Sequence, residues 1–130
     1  MADQLILIIE DNERNLKLVR DVLQFNGFRT AEARTAEEGL ALARSRAPDL
    51  VLLDLQLPGI DGMEAFQKLR ESPPTAATPV VAVTAFAMKD DRERVLRAGF
   101  NGYLEKPISV RELPQQVRAF LTGMEPNDDR

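Results

Sequence analysis

The chain has 130 residues, 44% of them hydrophobic and 29% charged, which suits a single globular domain with one sizeable core. It contains no cysteine and no histidine, which excludes a disulfide framework, a thiolate metal site, histidine acid–base chemistry and carriage of a phosphohistidine by this chain itself. The formal net charge of −4 argues against a nucleic-acid role, since backbone binding needs clustered Lys and Arg.

No apolar stretch approaches the roughly 20 residues that cross a bilayer. Met1-Ala2-Asp3-Gln4 lacks the basic start of a secretion signal, so a cytoplasmic location is expected, with no membrane role. The first apolar run, Leu5-Ile6-Leu7-Ile8-Ile9, reads as a buried strand and ends in Glu10-Asp11-Asn12. Leu16, Val19, Val22, Leu23 and Asn26 then recur at helical spacing, and Gly27 closes that helix. Residues 28–33 give a shorter, more polar strand suited to an edge. Thr35-Ala36-Glu37-Glu38 is a capping box for a second helix, which Pro48 ends.

The stretch Val51-Leu52-Leu53-Asp54-Leu55-Gln56-Leu57-Pro58-Gly59 organises the rest. Its aliphatic run reads as a buried parallel strand, and the aspartate stands at the carboxyl end, where open parallel sheets present their chemistry. Asp61-Gly62-Met63-Glu64 opens the next helix, which is expected to bury Met63, Phe66 and Leu69. The paired prolines of Ser72-Pro73-Pro74-Thr75 forbid a regular ladder. Val80-Val81-Ala82-Val83-Thr84 is a fourth strand. A weakly held helix is expected from Asp90, capped by Asp90 and Glu93, burying Val95, Leu96 and Ala98. A short strand at 101–104 and a last helix capped by Ser109 follow, with a bent or delayed start at Pro114. Residues 123–130 are expected to be a flexible polar tail beyond a domain at 1–122.

Five alternations of strand and helix imply an α/β fold, a flavodoxin-like doubly wound parallel sheet in the order 2-1-3-4-5. That order sets the first and third strands side by side and brings Glu10, Asp11 and Asp54 to one edge. At about 4 Å and an effective dielectric near 20, each like-charge pair there costs on the order of 4 kcal/mol. A hard divalent cation such as Mg²⁺ relieves the repulsion. Thr84 and Lys106 end the next two strands on the other side of Asp54. A hydroxyl and an ammonium are what a phosphoryl group on that carboxylate needs.

With these residues in view, the chain resembles the receiver domains of two-component response regulators, over residues 4 to about 122. The matching pieces are Glu10-Asp11, Asp54 within Asp-Leu-Gln-Leu-Pro, Thr84-Ala85 within Val-Thr-Ala-Phe-Ala-Met, and Lys106-Pro107 within Lys-Pro-Ile-Ser. In detail they look like a single-domain regulator of that family. The resemblance implies that Asp54 accepts a phosphoryl group from the phosphohistidine of a sensor kinase or phosphotransfer protein. It implies Mg²⁺ at Asp11, Asp54 and the Gln56 main-chain carbonyl, with Glu10 holding its waters. It further implies a Lys106 contact to the phosphoryl group, a cis Lys106-Pro107 bond, and Thr84 with Tyr103 as the switching pair.

Only a short polar tail lies beyond Leu121, so a stand-alone receiver acting through protein contacts, monomeric or weakly dimeric, is the expectation. Its self-phosphorylation and hydrolysis would serve a switch rather than make it an enzyme. The output surface is expected on the fourth helix, fifth strand and last helix. Three other readings stay open. One is a metal-dependent phosphatase with an aspartyl nucleophile, against which Gln56 stands where an acid–base aspartate belongs. A flavodoxin-like cofactor binder would need a first loop that does not repel phosphate, unlike Glu10-Asp11-Asn12-Glu13. An inactive receiver-like scaffold is the third.

Overall fold

Short aliphatic runs make the strands, and their burial fixes the architecture. The computed structural model describes residues 4–57, 59–85 and 89–122, apart from the side chains at 89 and 90. Its strands are β1 (Leu5–Ile9), β2 (Arg29–Ala33), β3 (Leu50–Asp54), β4 (Val80–Thr84) and β5 (Gly102–Glu105). They form one parallel sheet in the order β2-β1-β3-β4-β5. β1, β3 and β4 are buried along their whole length, which is why their sequences show no polar alternation. β2 lies at the edge and mixes exposed with buried positions, as its polar composition requires.

The helices are α1 (Glu13–Phe25), α2 (Ala36–Arg46), α3 (Gly62–Glu71), α4 (Lys89–Ala98) and α5 (Leu113–Leu121). Alternate strand residues point to opposite faces and build two cores. Leu7, Ile9, Val51 and Leu53 pack with Leu40 of α2, Phe66 and Leu69 of α3 and Val95 of α4. Ile6, Ile8, Leu52 and Val81 pack with Leu16, Val19 and Leu23 of α1 and with Val117 and Phe120 of α5. Gly102 is required where β5 meets α5: a Cβ there would fall on the Phe120 ring.

Several local details depart from the sequence expectations. Thr35 Oγ1 does accept from the Glu38 amide at 3.1 Å, but the Glu38 carboxylate accepts from Arg34 N, one residue before the cap. In α3 the buried residues are Gly62, Ala65, Phe66 and Leu69, while Met63 is half-buried. α4 starts at Lys89, one residue before the expected start near Asp90, and the Asp90 side chain on which the capping expectation falls lies outside the described residues. Val95 is buried, Leu96 half-buried and Ala98 exposed, an even lighter hold than expected. β5 runs one residue later than expected.

At the last helix the expected delay occurs. Ser109 Oγ accepts from the Glu112 amide at 3.2 Å in a preceding turn, and α5 begins only at Leu113, with Pro114 in its first turn. The expected turn at Pro58 and the tail at 123–130 lie outside the described residues. No helix among the described residues is long and apolar enough to cross a membrane.

Candidate functional site

Register decides which side chains meet. Ile9 pairs with Leu53, so Glu10 and Asp54 emerge side by side at the carboxyl ends of β1 and β3. One carboxylate oxygen each from Glu10, Asp11 and Asp54 lies within 4.8 Å of the others. Asp54 is 2% exposed and Glu10 5%, whereas Asp11 is half-buried at the rim.

Each buried acid is held at several points. Asp54 Oδ1 accepts from the Gln56 amide at 2.9 Å and Oδ2 from Lys106 Nζ at 3.1 Å. Lys106 Nζ also lies 3.2 Å from Glu10 Oε1, and Glu10 Oε2 accepts from the Asn12 amide at 3.1 Å. Lys106 reaches inward because its own amide donates to Thr84 O at 2.9 Å, continuing the β4–β5 ladder beyond the strand. The Lys106-Pro107 peptide is cis. Thr84 is buried at the end of β4, whose Val83 pairs with Asp54.

The electrostatics follow from this crowding. Burial, reinforced by the Asp54 charge, pushes the Glu10 carboxyl above its ordinary value. Burial pulls the Lys106 ammonium down, but Asp54 and Glu10 together outweigh it and hold its pKa above the usual lysine value. Glu10 and Asp54 share this ammonium and Asp11 adds a third carboxylate beside them, so among the described residues negative charge is left in excess. Converging hard oxygen donors with residual negative charge are what Mg²⁺ takes, and the residues present fit it.

Tyr103 stands apart from the acids. It is half-buried in β5, and its hydroxyl is buried with no hydrogen-bond partner among the described residues. Its ring lies 5.3 Å from the Arg92 guanidinium and borders a cleft of about 300 Å³ that also reaches Lys106, Pro107 and Glu112. Burial, then the nearby Glu105 charge, pushes the Tyr103 phenol up.

Two contacts went unread in the sequence. Gln56 Oε1 accepts from the Ala85 amide at 3.0 Å, joining the loops after β3 and β4. Arg34 Nη2 donates to the Asp11 carbonyl at 3.2 Å. The second becomes visible once β2 is paired with β1, because Ala33 lies opposite Ile9 and the next residue must flank the acids.

Comparison with known proteins agrees with this geometry. The family model for the response regulator receiver domain matches residues 6–118. The chain is 43% identical over 116 residues to the polar-differentiation response regulator DivK of Brucella ovis, covering 89% of this chain and 94% of that one. A CheY-like receiver domain protein from Methanospirillum hungatei superposes with a TM-score of 0.82 at 29% identity, covering 92% and 94%. The receiver domain of a sensor histidine kinase from Pseudomonas aeruginosa superposes with a TM-score of 0.84 at 32% identity, covering 92% and 98%. That structure carries a magnesium ion in its active-site cleft. With its sheet order, acidic edge and sequence in agreement, the chain belongs to the response regulator receiver family.

Proposed function

We propose that the chain is a phosphoacceptor switch of two-component signalling in which Asp54 takes a phosphoryl group from the phosphohistidine of a sensor kinase or phosphotransfer protein. The observation that carries this reading is the placement of Asp54: buried, bonded to Lys106 and within ligand-sharing distance of two further carboxylates. A carboxylate oxygen of Asp54 attacks phosphorus, and the new O–P bond forms as the P–N bond breaks. The released electron pair returns to the partner's imidazole nitrogen, which takes a proton from solvent.

Asp11, Asp54 and the Gln56 main-chain carbonyl are the groups that would hold Mg²⁺, with Glu10 holding its waters. The bound ion would offset phosphoryl charge beside the carboxylates. Lys106 gives up its bridge between Asp54 and Glu10 to contact a phosphoryl oxygen. Thr84 supplies a hydroxyl from the far side.

Phosphorylation adds nearly two negative charges and three acceptor oxygens at this edge. The loops after β4 and β5 respond, with Thr84 and Tyr103 as the moving pair and α4 as the element they carry. Val95 is the one fully buried side chain that α4 contributes among the described residues, so a modest energy repopulates its arrangements. The α4–β5–α5 face is then the surface read by a downstream protein, in the cytoplasm and without nucleic acid or membrane.

The test is incubation with acetyl phosphate and Mg²⁺ followed by intact-mass analysis. Native protein gains one phosphoryl mass and Asp54→Asn gains none. No gain in either overturns the reading and leaves a receiver-like scaffold.

A further inference from the structure

The three clustered acids are not equally secured. Glu10 is gripped by the Asn12 amide and Lys106, and Asp54 by the Gln56 amide and Lys106. The Asp11 carboxylate has no such side-chain or amide contact among the described residues, and the residue sits half-buried at the rim. Where its carboxylate points is therefore set by its backbone.

The Asp11 main chain itself meets one side chain among the described residues. Arg34 Nη2 donates to the Asp11 carbonyl at 3.2 Å, across 23 positions of chain. Arg34 is itself well placed for this. The Ala33 carbonyl accepts from the Glu10 amide at 2.9 Å, so the β2 ladder runs right up to Arg34. The Arg34 amide donates to the Glu38 carboxylate at 3.0 Å, fixing the turn from which the side chain departs. The displaced capping contact of Glu38 thus falls on the residue that braces the acidic loop.

We propose that Arg34 is a positioning residue for Asp11, bracing the loop after β1 so that the Asp11 carboxylate faces Glu10 and Asp54 and completes the divalent-cation site. This rests on the reading of the acidic edge as a Mg²⁺ site and adds a residue from β2 to it. Groups that orient a metal ligand typically change affinity 10–100-fold when removed. A single bond to an exposed-side carbonyl belongs below that range, at about 3- to 10-fold.

Charge alone predicts the opposite sign, which makes the proposal sharp. A guanidinium near a cation site repels the cation, so removing it as a mere charge would tighten Mg²⁺ binding. Bracing requires that removal weaken it.

The experiment is calorimetric titration of Mg²⁺ into native protein, Arg34→Gln, Arg34→Lys and Asp11→Asn, with melting temperatures in chelator alongside. Native protein binds Mg²⁺ and Asp11→Asn loses binding. Arg34→Gln binds about 3- to 10-fold more weakly, Arg34→Lys recovers part of the loss, and both melt in chelator as the native protein does. Native-like or tighter binding by Arg34→Gln overturns the role of Arg34 while leaving the phosphoacceptor reading intact. A lowered melting temperature in chelator that accounts for the weaker binding also overturns it, in favour of a purely structural role. Absence of Mg²⁺ binding by the native protein removes the metal site itself, and the bracing role with it.

Discussion

The two ends of the sheet solve opposite problems. At the amino end Asp49, Asn101 and Arg70 each meet complementary partners. Asp49 Oδ2 accepts from the Leu5 amide at 2.8 Å, and Asn101 Oδ1 accepts from the Val80 amide at 2.9 Å and from Arg70 at 3.0 Å. Arg70 also donates to Thr78 O at 2.8 Å and stacks over Phe66, 4.7 Å from the ring centre. At the carboxyl end like charges are pressed together around one ammonium. The amino end closes the fold, and the carboxyl end holds unfavourable charge that a ligand can relieve. Damage at the amino end should therefore cost stability and leave the chemistry alone, whereas damage at the carboxyl end should reach both.

The largest effect should come from forcing strain into the site end. A Cβ on Gly62 would lie 2.5 Å from Leu55 Cα, a backbone atom that cannot swing aside. Gly62→Ala should cost about 3 kcal/mol by denaturant unfolding, the upper part of the usual overpacking range. Because Leu55 follows Asp54 directly, the same change should slow acetyl phosphate labelling. A stable variant with native labelling would show that the loop after β3 is not set by this close approach.

Next in size is damage at the amino end. Asn101→Ala leaves the buried Val80 amide without its acceptor and Arg70 without one contact. The expected loss is about 2 kcal/mol, with labelling of Asp54 unchanged. Asn101→Asp keeps the acceptor and gains an opposite charge against Arg70, so it should recover most of the stability. Loss of labelling in a still-folded Asn101→Ala protein would contradict the separation of the two ends.

How far sequence alone reaches differs along the same lines. The central strands were legible because strands covered on both faces cannot alternate, and Val51–Leu53 or Leu5–Ile9 have no polar residue to confuse the pattern. The acidic trio was legible because parallel strands deliver side chains at their carboxyl ends, so Glu10 and Asp54 follow from strand order alone. Arg34 was not, since its contact depends on the register of β2 against β1, which no local pattern encodes. The Gln56–Ala85 contact joins two loops whose separation depends on how β3 and β4 are paired, again a register property.

The smallest effect is the most diagnostic, because it reads the charge crowding directly. Glu10 titrates above its ordinary value of 4.5 in the folded chain, chiefly through burial and then through Asp54. A carboxyl raised on folding binds more protons folded than unfolded, so it costs stability at neutral pH. That cost is relieved as pH falls from the raised value toward 4.5. In metal-free buffer Glu10→Gln should therefore melt above the native protein at pH 7, and the gap should narrow on acidification through this window. The raised Lys106 pKa does not interfere, since its contribution is lost only as pH climbs past the usual lysine value of 10.5. Asn101→Ala serves as the control, because the bonds it removes come from a neutral amide and from a guanidinium that stays charged throughout, so its deficit should stay level across the same pH range. A Glu10→Gln gap that stayed equally level would mean that the two ends of the sheet carry the same kind of energy.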